Sequence, residues 1–211
     1  MIDSLATLSG FSIIFPAMAF LVFCPLKTKS IIILKYFVFG SVVFELFFTI
    51  TSWNSIYNVA FSYPYTLFEG LSLIAFFLFI LEKRESMVIV LLISYVFLFI
   101  IDSISFEPLQ SILSFNPFAR SFNSLLMVSL SFLYYFQIYR QEKIIELDKD
   151  PSFYFVSGLL LYFSTSFFTF LFSAEIFELT NDKIETSWFF HSISNIGKNT
   201  LLTIGIWQAR H

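Results

Sequence analysis

Long apolar stretches of about twenty residues alternate with short polar segments along the whole chain. Seven such stretches occur, at about 5–23, 31–53, 60–81, 87–103, 122–139, 153–172 and 188–207. A helix of about 20 apolar residues crosses a hydrocarbon core of about 30 Å, whereas strands of a membrane barrel are about half as long and alternate apolar with polar residues. The pattern predicts an all-α, polytopic membrane protein built as a seven-transmembrane-helix bundle.

Composition agrees with this class. Hydrophobic residues make up 57% of the chain and charged residues 13%, with a mean hydropathy of +0.81, whereas soluble domains carry about 25% charged residues. The linkers are short, so we expect one transmembrane domain over residues 1–211 with the lipid bilayer as its main partner. The net charge of −3 argues against nucleic acid as a partner.

Positive charge in the short loops predicts the orientation, because Lys and Arg resist translocation. Arg120 and Lys183 fall on one side of the predicted bundle. Nine fall on the other side: Lys27, Lys29, Lys35, Lys83, Arg84, Arg140, Lys143, Lys149 and Arg210. We therefore expect the N-terminus outside, the C-terminus in the cytoplasm, and a multi-pass protein of the cell membrane.

Polar residues inside the apolar stretches are the candidate site. Glu45, Glu69 and Lys198 lie in the second, third and seventh stretches, and each costs about 2.5–3.5 kcal/mol to place in lipid. A rise of 1.5 Å per residue puts all three at a similar depth. His191 and Asn195 share a helical face with Lys198, at i, i+4 and i+7. These five residues predict a ligand-binding pocket in the outer half of the bundle.

Three uses of these residues stay open at this point. Lys198 could form a structural ion pair with Glu45 or Glu69, with His191 and the asparagines making interhelical hydrogen bonds. The same groups could instead line a ligand or sensing pocket open to the outside. The third use is covalent attachment of a cofactor, or ion conduction.

In topology the chain resembles the microbial rhodopsins, which have seven helices, an outside N-terminus, a lysine midway along the last helix and an acidic residue in the third. The resemblance implies retinal on Lys198 with Glu69 as its counter-ion. The third stretch, "FSYPYTLFEGLSLIAFFLFIL", lacks the family's arginine and its paired acidic positions. The sixth, "FYFVSGLLLYFSTSFFTFLF", lacks its tryptophan and proline. No cofactor is predicted, and a retinal protein is the alternative.

Enzyme signatures are missing from the sequence. It contains no HExxH, GxSxG, CxxC or phosphate-binding loop, and two histidines are too few for a zinc hydrolase site. We expect no catalytic and no metal-binding residues. Pro16 has no counterpart in the fifth stretch, as a repeat-built sugar transporter would require, and this argues against a transporter. A transporter or channel is kept only as an alternative. The sequence favours a non-enzymatic, receptor-like sensor or accessory subunit in signalling.

Two linkers are longer than the rest. The segment "RQEKIIELDKDPS" reads as a helix that continues the fifth stretch into the cytoplasm. Residues 140–149 of this extension would dock another membrane protein or a cytoplasmic protein. Between the fourth and fifth stretches, residues 108–114 predict a short interfacial helix on the outer side.

Overall fold

Helices make up the architecture of the described chain. The computed structural model describes residues 2–23, 28–54, 56, 61–81, 85–105, 117–140, 146–171 and 181–210. Within these ranges it contains no strand, a short 3-10 helix at Leu147–Lys149, and eight α-helices: α1 Ile2–Phe11, α2 Ile14–Phe23, α3 Lys29–Trp53, α4 Ser62–Ile80, α5 Glu85–Ser105, α6 Pro117–Arg140, α7 Pro151–Leu171 and α8 Asn181–Gln208. The predicted all-α class is confirmed.

Several of these helices suit a bilayer by length and composition. Four segments of the described chain are long and apolar enough to cross a membrane: Ser4–Phe23, Lys29–Trp53, Ser62–Ile80 and Pro151–Leu171. Helix α5 contains a shorter apolar run, Ser86–Ile101. Helices α6 and α8 carry the buried polar residues of the candidate site, which lowers their apolar content. The helices are compatible with a helical membrane protein, and the count of seven spans stays a prediction.

The outer surface differs from that of a soluble protein, and several polar side chains lie inside the bundle beside its apolar core. Glu69, Asn123, Lys198 and Asn199 are buried. Large apolar side chains are exposed on every α-helix, among them Leu8, Phe15, Val43, Phe79, Val90, Phe132, Phe168 and Phe190. Extended exposed apolar surface is rare on soluble monomers, whereas lipid is a favourable solvent for it. The outer surface of the bundle is therefore matched to hydrocarbon.

The helices pack as a closed ring. Helix α3 packs against α4, α4 against α5 and α6, α6 against α7, α7 against α8, and α8 against α1 and α2, while α2 returns to α3. At the end of the ring where α8 finishes, called here the Arg210 end, aromatic side chains fill the centre, and the rings of Phe76 and Phe155 lie 6.2 Å apart. The opposite end, called the Trp188 end, holds the polar residues.

The first predicted span is a broken helix. Helices α1 and α2 are separated at Ser12 and Ile13. Pro16 explains the break, because it has no N–H to donate to the Ser12 carbonyl four residues earlier and its ring crowds that carbonyl. The Phe15 N–H donates to the Ser12 carbonyl instead, at 3.1 Å. Pro16 was the sign of this interruption within the stretch 5–23, and the prediction of one continuous span did not use it.

The predicted helical extension after the fifth stretch is wrong for residues 146–150. Helix α6 ends at Arg140, and a 3-10 helix followed by an extended Asp150 leads into α7. A residue before proline is disfavoured in the α conformation, and Asp150 precedes Pro151. The Tyr134 hydroxyl donates to the Asp150 carboxylate at 2.8 Å, which holds this turn against the bundle. Residues 141–145 and the predicted helix at 108–114 lie outside the described residues.

A charge pair marks the surface of this turn. Lys149 forms an ion pair with Glu146, and both side chains are exposed. The hydrogen bond and the charge of Glu146 raise the pKa of Lys149 above its ordinary value. Exposed pairs of this kind contribute little to stability, so the turn is held by Tyr134 and not by its own charges.

We expect Gly70→Ala to destabilise the bundle by about 1–3 kcal/mol, the usual cost of overpacking a core. A Cβ on Gly70 would overlap the ring of Tyr95, which is 1% exposed and donates to the Thr66 carbonyl at 2.7 Å. Gly197→Ala is the matched control, because its Cβ would meet the flexible end of Leu161 at 2.8 Å. Unfolding midpoints in detergent measure both, and equal losses would contradict the packing argument.

Candidate functional site

Glu69 is the buried carboxylate at the centre of the Trp188 end. It lies on α4 and is 6% exposed. The hydroxyl of Tyr65, one helical turn earlier, donates to it at 3.3 Å, and the amide of Asn123 on α6 donates at 3.4 Å. Arg120 is within electrostatic range. Two donors and a nearby cation therefore offset the cost of burying this carboxylate.

Lys198 faces Glu69 from the other side of the ring. It lies on α8 and is 3% exposed. Its Nζ lies 4.0 Å from the centre of the Tyr162 ring, a cation–π contact. Glu69 and Glu45 both act on it electrostatically, Glu69 more strongly. Lys198 makes no ion pair at contact distance with another described residue. Its ammonium group lies on the Tyr162 ring, and the two carboxylates act on it from farther away.

Glu45 reaches across from α3 to α1. Its carboxylate occupies the space beside Gly10, where a Cβ on residue 10 would overlap it. The structure shows no hydrogen bond or ion pair of this carboxylate with any other described residue. Glu45 lines two adjoining cavities. This carboxylate, which interacts with Lys198 only at longer range, keeps its hydrogen-bonding capacity at the cavity wall.

His191 and Asn195 form the α8 wall of the site. Nδ1 of His191 lies 3.2 Å from the Ser166 hydroxyl. Its ring packs edge-on or tilted against three aromatic rings at 5.3–5.5 Å, those of Tyr162, Phe170 and Trp188. The Asn195 amide donates to both the carbonyl and the hydroxyl of Ser9, each at 3.0 Å. These contacts fix the α8 wall against α7 and α1.

Polar residues of α8 also form hydrogen bonds to the break in the first span. One turn beyond Asn195, the Asn199 amide donates to the Ser12 hydroxyl at 2.6 Å. Ser12 in turn donates to the Ser9 carbonyl at 2.6 Å. Backbone groups freed by a helix break must be satisfied within the protein when the helix lies in lipid. Asn195 and Asn199 supply part of that satisfaction.

Arg120 is the functional candidate that the sequence missed. Residue 120 fell just before the predicted fifth span and was counted as an outer loop charge. Helix α6 begins at Pro117, so Arg120 lies inside the helix. Its Nε donates to the Thr66 hydroxyl at 3.2 Å, and its guanidinium lies 5.0 Å from the Phe170 ring centre. Arg120 and Asn123 are three residues apart on one helical face, and that spacing was the available signal.

Two adjoining cavities give the site its volume. The first, of about 240 Å³, lies between α1, α3, α4, α6, α7 and α8 and is lined by Ala6, Ser9, Gly10, Phe44, Glu45, Phe48, Tyr65, Arg120, Tyr162, Trp188, His191, Ser192 and Asn195. The second, of about 560 Å³, lies between α1 and α3 near Trp53. The two share Glu45, Phe48 and Trp188. We call the first the polar cavity and the second the side cavity.

The predicted site residues meet in one place. Glu45, His191 and Asn195 line the polar cavity, while Glu69 and Lys198 contact its lining residues Tyr65 and Tyr162. Arg120 was not predicted as part of the site, and neither were the aromatic lining residues Phe44, Phe48, Tyr65, Tyr162 and Trp188. The described residues contain no group of three or more His, Cys, Asp or Glu that could hold a metal ion. No protein-family model, curated protein or solved structure matches the chain.

We expect Lys198→Met to lower the free energy of unfolding by about 3 kcal/mol. This is the lower end for removing one member of a buried charge pair, because Nζ touches neither carboxylate directly. Adding Glu69→Gln should recover at least half of the loss, since Gln keeps an acceptor for Tyr65 and removes the uncompensated charge. Adding Glu45→Gln should recover less. Denaturant unfolding of the single and double variants in detergent measures the coupling, and additive losses in both doubles would contradict it.

Proposed function

We propose that the chain is a seven-span protein of the cell membrane, non-enzymatic, that binds a small polar ligand from the outside and works as a receptor-like sensor or accessory subunit. The observation that carries the proposal is the polar cavity with the Glu45 carboxylate at its wall, which makes no hydrogen bond to another described residue. Ionisable groups within a membrane are costly and mark ligand or ion sites. Purely structural charges would be expected to be fully paired.

The outward direction of the cavity is supported by the charges at the other end of the bundle. Lys29 lies 5.6 Å from the Phe79 ring centre and Arg210 lies 5.4 Å from that of Phe23, so both belong to the Arg210 end. Arg140 ends α6 at the same end of the ring. Basic residues mark the cytoplasmic side, and the Trp188 end with its cavity then faces outward.

A sensor needs an element that responds to the ligand, and α1 is suited to that role. Asn195 lines the polar cavity and also holds Ser9 of α1. A ligand that hydrogen-bonds to Asn195 competes with Ser9 and so favours a different position of α1. The partner that reads this change would be another membrane protein, or a cytoplasmic protein that binds near residues 140–149.

A transporter is the second candidate, because the break at Ser12 and Ile13 lies beside the cavity. Helices interrupted close to a substrate site are common in secondary transporters. The resemblance to microbial rhodopsins implies a different role for Lys198, as the attachment point of retinal. A new absorbance band in the visible range after addition of retinal would reveal this attachment.

We expect a reporter fused after His211 to report a cytoplasmic location, and a reporter inserted in the segment between α7 and α8 to report an outside location. The physical reason is the excess of Lys and Arg at the Arg210 end. An outside signal from the fusion after His211 would reverse the topology and the outward direction of the cavity with it.

We expect a cysteine at Ser192 to react with a membrane-impermeant thiol reagent added outside intact cells, in a chain whose single cysteine, Cys24, is changed to Ser. Ser192 lines the polar cavity. Ser131→Cys is the matched control, because Ser131 is buried like Ser192 but does not line that cavity, and it should react only after denaturation. Reaction at Ser192→Cys from the cytoplasmic side as well would favour the transporter, and no reaction from outside would overturn the proposed function.

A further inference from the structure

The walls of the polar cavity carry opposite charges on different helices. Glu45 comes from α3 and Arg120 from α6, and both line the cavity. Helix α4 stands between these two helices in the ring, so the carboxylate and the guanidinium belong to separate walls. A ligand that spans the cavity therefore meets a negative group at one end and a positive group at the other.

The Glu45 wall is aromatic. Phe44 and Phe48 flank Glu45 in sequence, and the Tyr65 ring packs on both of them, at 5.3 and 6.2 Å between ring centres. Trp188 completes the lining on this side, where the polar cavity joins the side cavity. Aromatic faces attract organic cations, and a carboxylate adds direct charge pairing and hydrogen bonding. This combination recognises an alkylammonium group.

The α6 wall carries the guanidinium of Arg120, which lines the polar cavity. His191, Ser192 and Asn195 line the same cavity from α8. A guanidinium is well suited to carboxylate and phosphate groups, because its N–H donors lie in one plane. This wall recognises an anionic group.

Charge balance favours a ligand that carries both groups. Of the Asp, Glu, Lys and Arg side chains that the structure describes at this end, two are carboxylates, Glu45 and Glu69, and two are cations, Arg120 and Lys198, so their formal charges sum to zero. A bound cation or anion alone would leave a net charge in a region of low dielectric, which is costly. A zwitterion leaves the sum at zero.

The size of the cavity limits the ligand. Its volume of about 240 Å³ is that of about eight water molecules at about 30 Å³ each. This suits a molecule about as large as an amino acid or phosphoethanolamine. The side cavity, which shares Glu45 and opens between α1 and α3, would give the headgroup of a membrane lipid a second way in.

We propose that the polar cavity binds a small zwitterion, with its ammonium group at Glu45 and its anionic group at Arg120. The proposal rests on the proposed function, since it requires a cavity that small molecules reach. The same chemistry occurs in free amino-acid-like zwitterions and in the headgroup of phosphatidylethanolamine, and the two sources are separated by experiment.

The test uses the full chain with Ser192→Cys and Cys24→Ser, reconstituted in phosphatidylglycerol nanodiscs, and measures the rate of thiol labelling. The soluble probes are 4-aminobutyrate and the phosphodiester glycerophosphoethanolamine, both of net charge zero, with propylammonium and propionate as single-charge controls. A zwitterion present at ten times its Kd should slow labelling about tenfold by occupancy, while each single-charge probe should have a smaller effect at equal concentration. A parallel sample in phosphatidylethanolamine nanodiscs receives no soluble probe.

Glu45→Gln should abolish the protection by the zwitterions, where protection is the ratio of the labelling rates of the same variant without and with the probe. Glu146→Gln is the matched control, because it removes an exposed carboxylate outside the cavity, and it should preserve protection. Protection by soluble probes supports a free ligand, and slower labelling in phosphatidylethanolamine nanodiscs alone supports a lipid headgroup. Two results would contradict the zwitterion proposal: equal protection by propylammonium, or labelling at the normal rate with no protection by any zwitterion or lipid. Neither result would contradict the proposed function, because the thiol would still react from outside. This comparison of probes holds even when Glu45→Gln fails to fold.

Discussion

A lysine that must be kept out of hydrocarbon is the constraint on which the rest of the bundle depends. Lys198 is charged in water, and α8 cannot turn it toward lipid without a cost of several kcal/mol. Burying it also fixes the direction of Asn195 and Asn199, which lie near the same face. The partners of these side chains come from α1, α7 and the facing carboxylates of α3 and α4. The rotation of one helix therefore determines which surfaces of four others face inward.

The two ends of the bundle meet different physical requirements. At the Arg210 end, aromatic and aliphatic side chains such as Phe76, Phe155 and Leu202 fill the centre and are 0–1% exposed. In densely packed apolar regions each side chain has few accessible conformations, and no space is left for a ligand. At the Trp188 end, hydrogen bonds and charges hold the helices apart around a cavity. A binding site is commonly supported by a rigidly packed region, here the Arg210 end, because such packing keeps the binding groups of the Trp188 end in position.

Much of this arrangement could be predicted from the sequence, and the reason is geometric. Twelve of the fourteen ends of the apolar stretches lie within three residues of a helix end, the exceptions being the starts of α6 and α8. A constant rise per residue places Glu45, Glu69 and Lys198 at one depth. Arg120 was missed because a charged residue ends an apolar run in any such scan, although the helix begins earlier, at Pro117. The contact of Lys198 with Tyr162 depends on how two helices rotate against each other, and no local pattern in either one contains that information.

The division of the first span has a consequence for how the fold opens. Helix α2 is anchored by the buried Ala17 and Phe20, whereas Ser9 is the one buried residue among the eight of α1 whose burial is described, and four of these eight are exposed. Its ties to α8 are polar contacts, which water or a competing group can replace. Regions with few buried apolar contacts open at a lower free energy than the core. Helix α1 is therefore the least protected cooperative unit of this end of the bundle, and its backbone amides would exchange with solvent before those of α2.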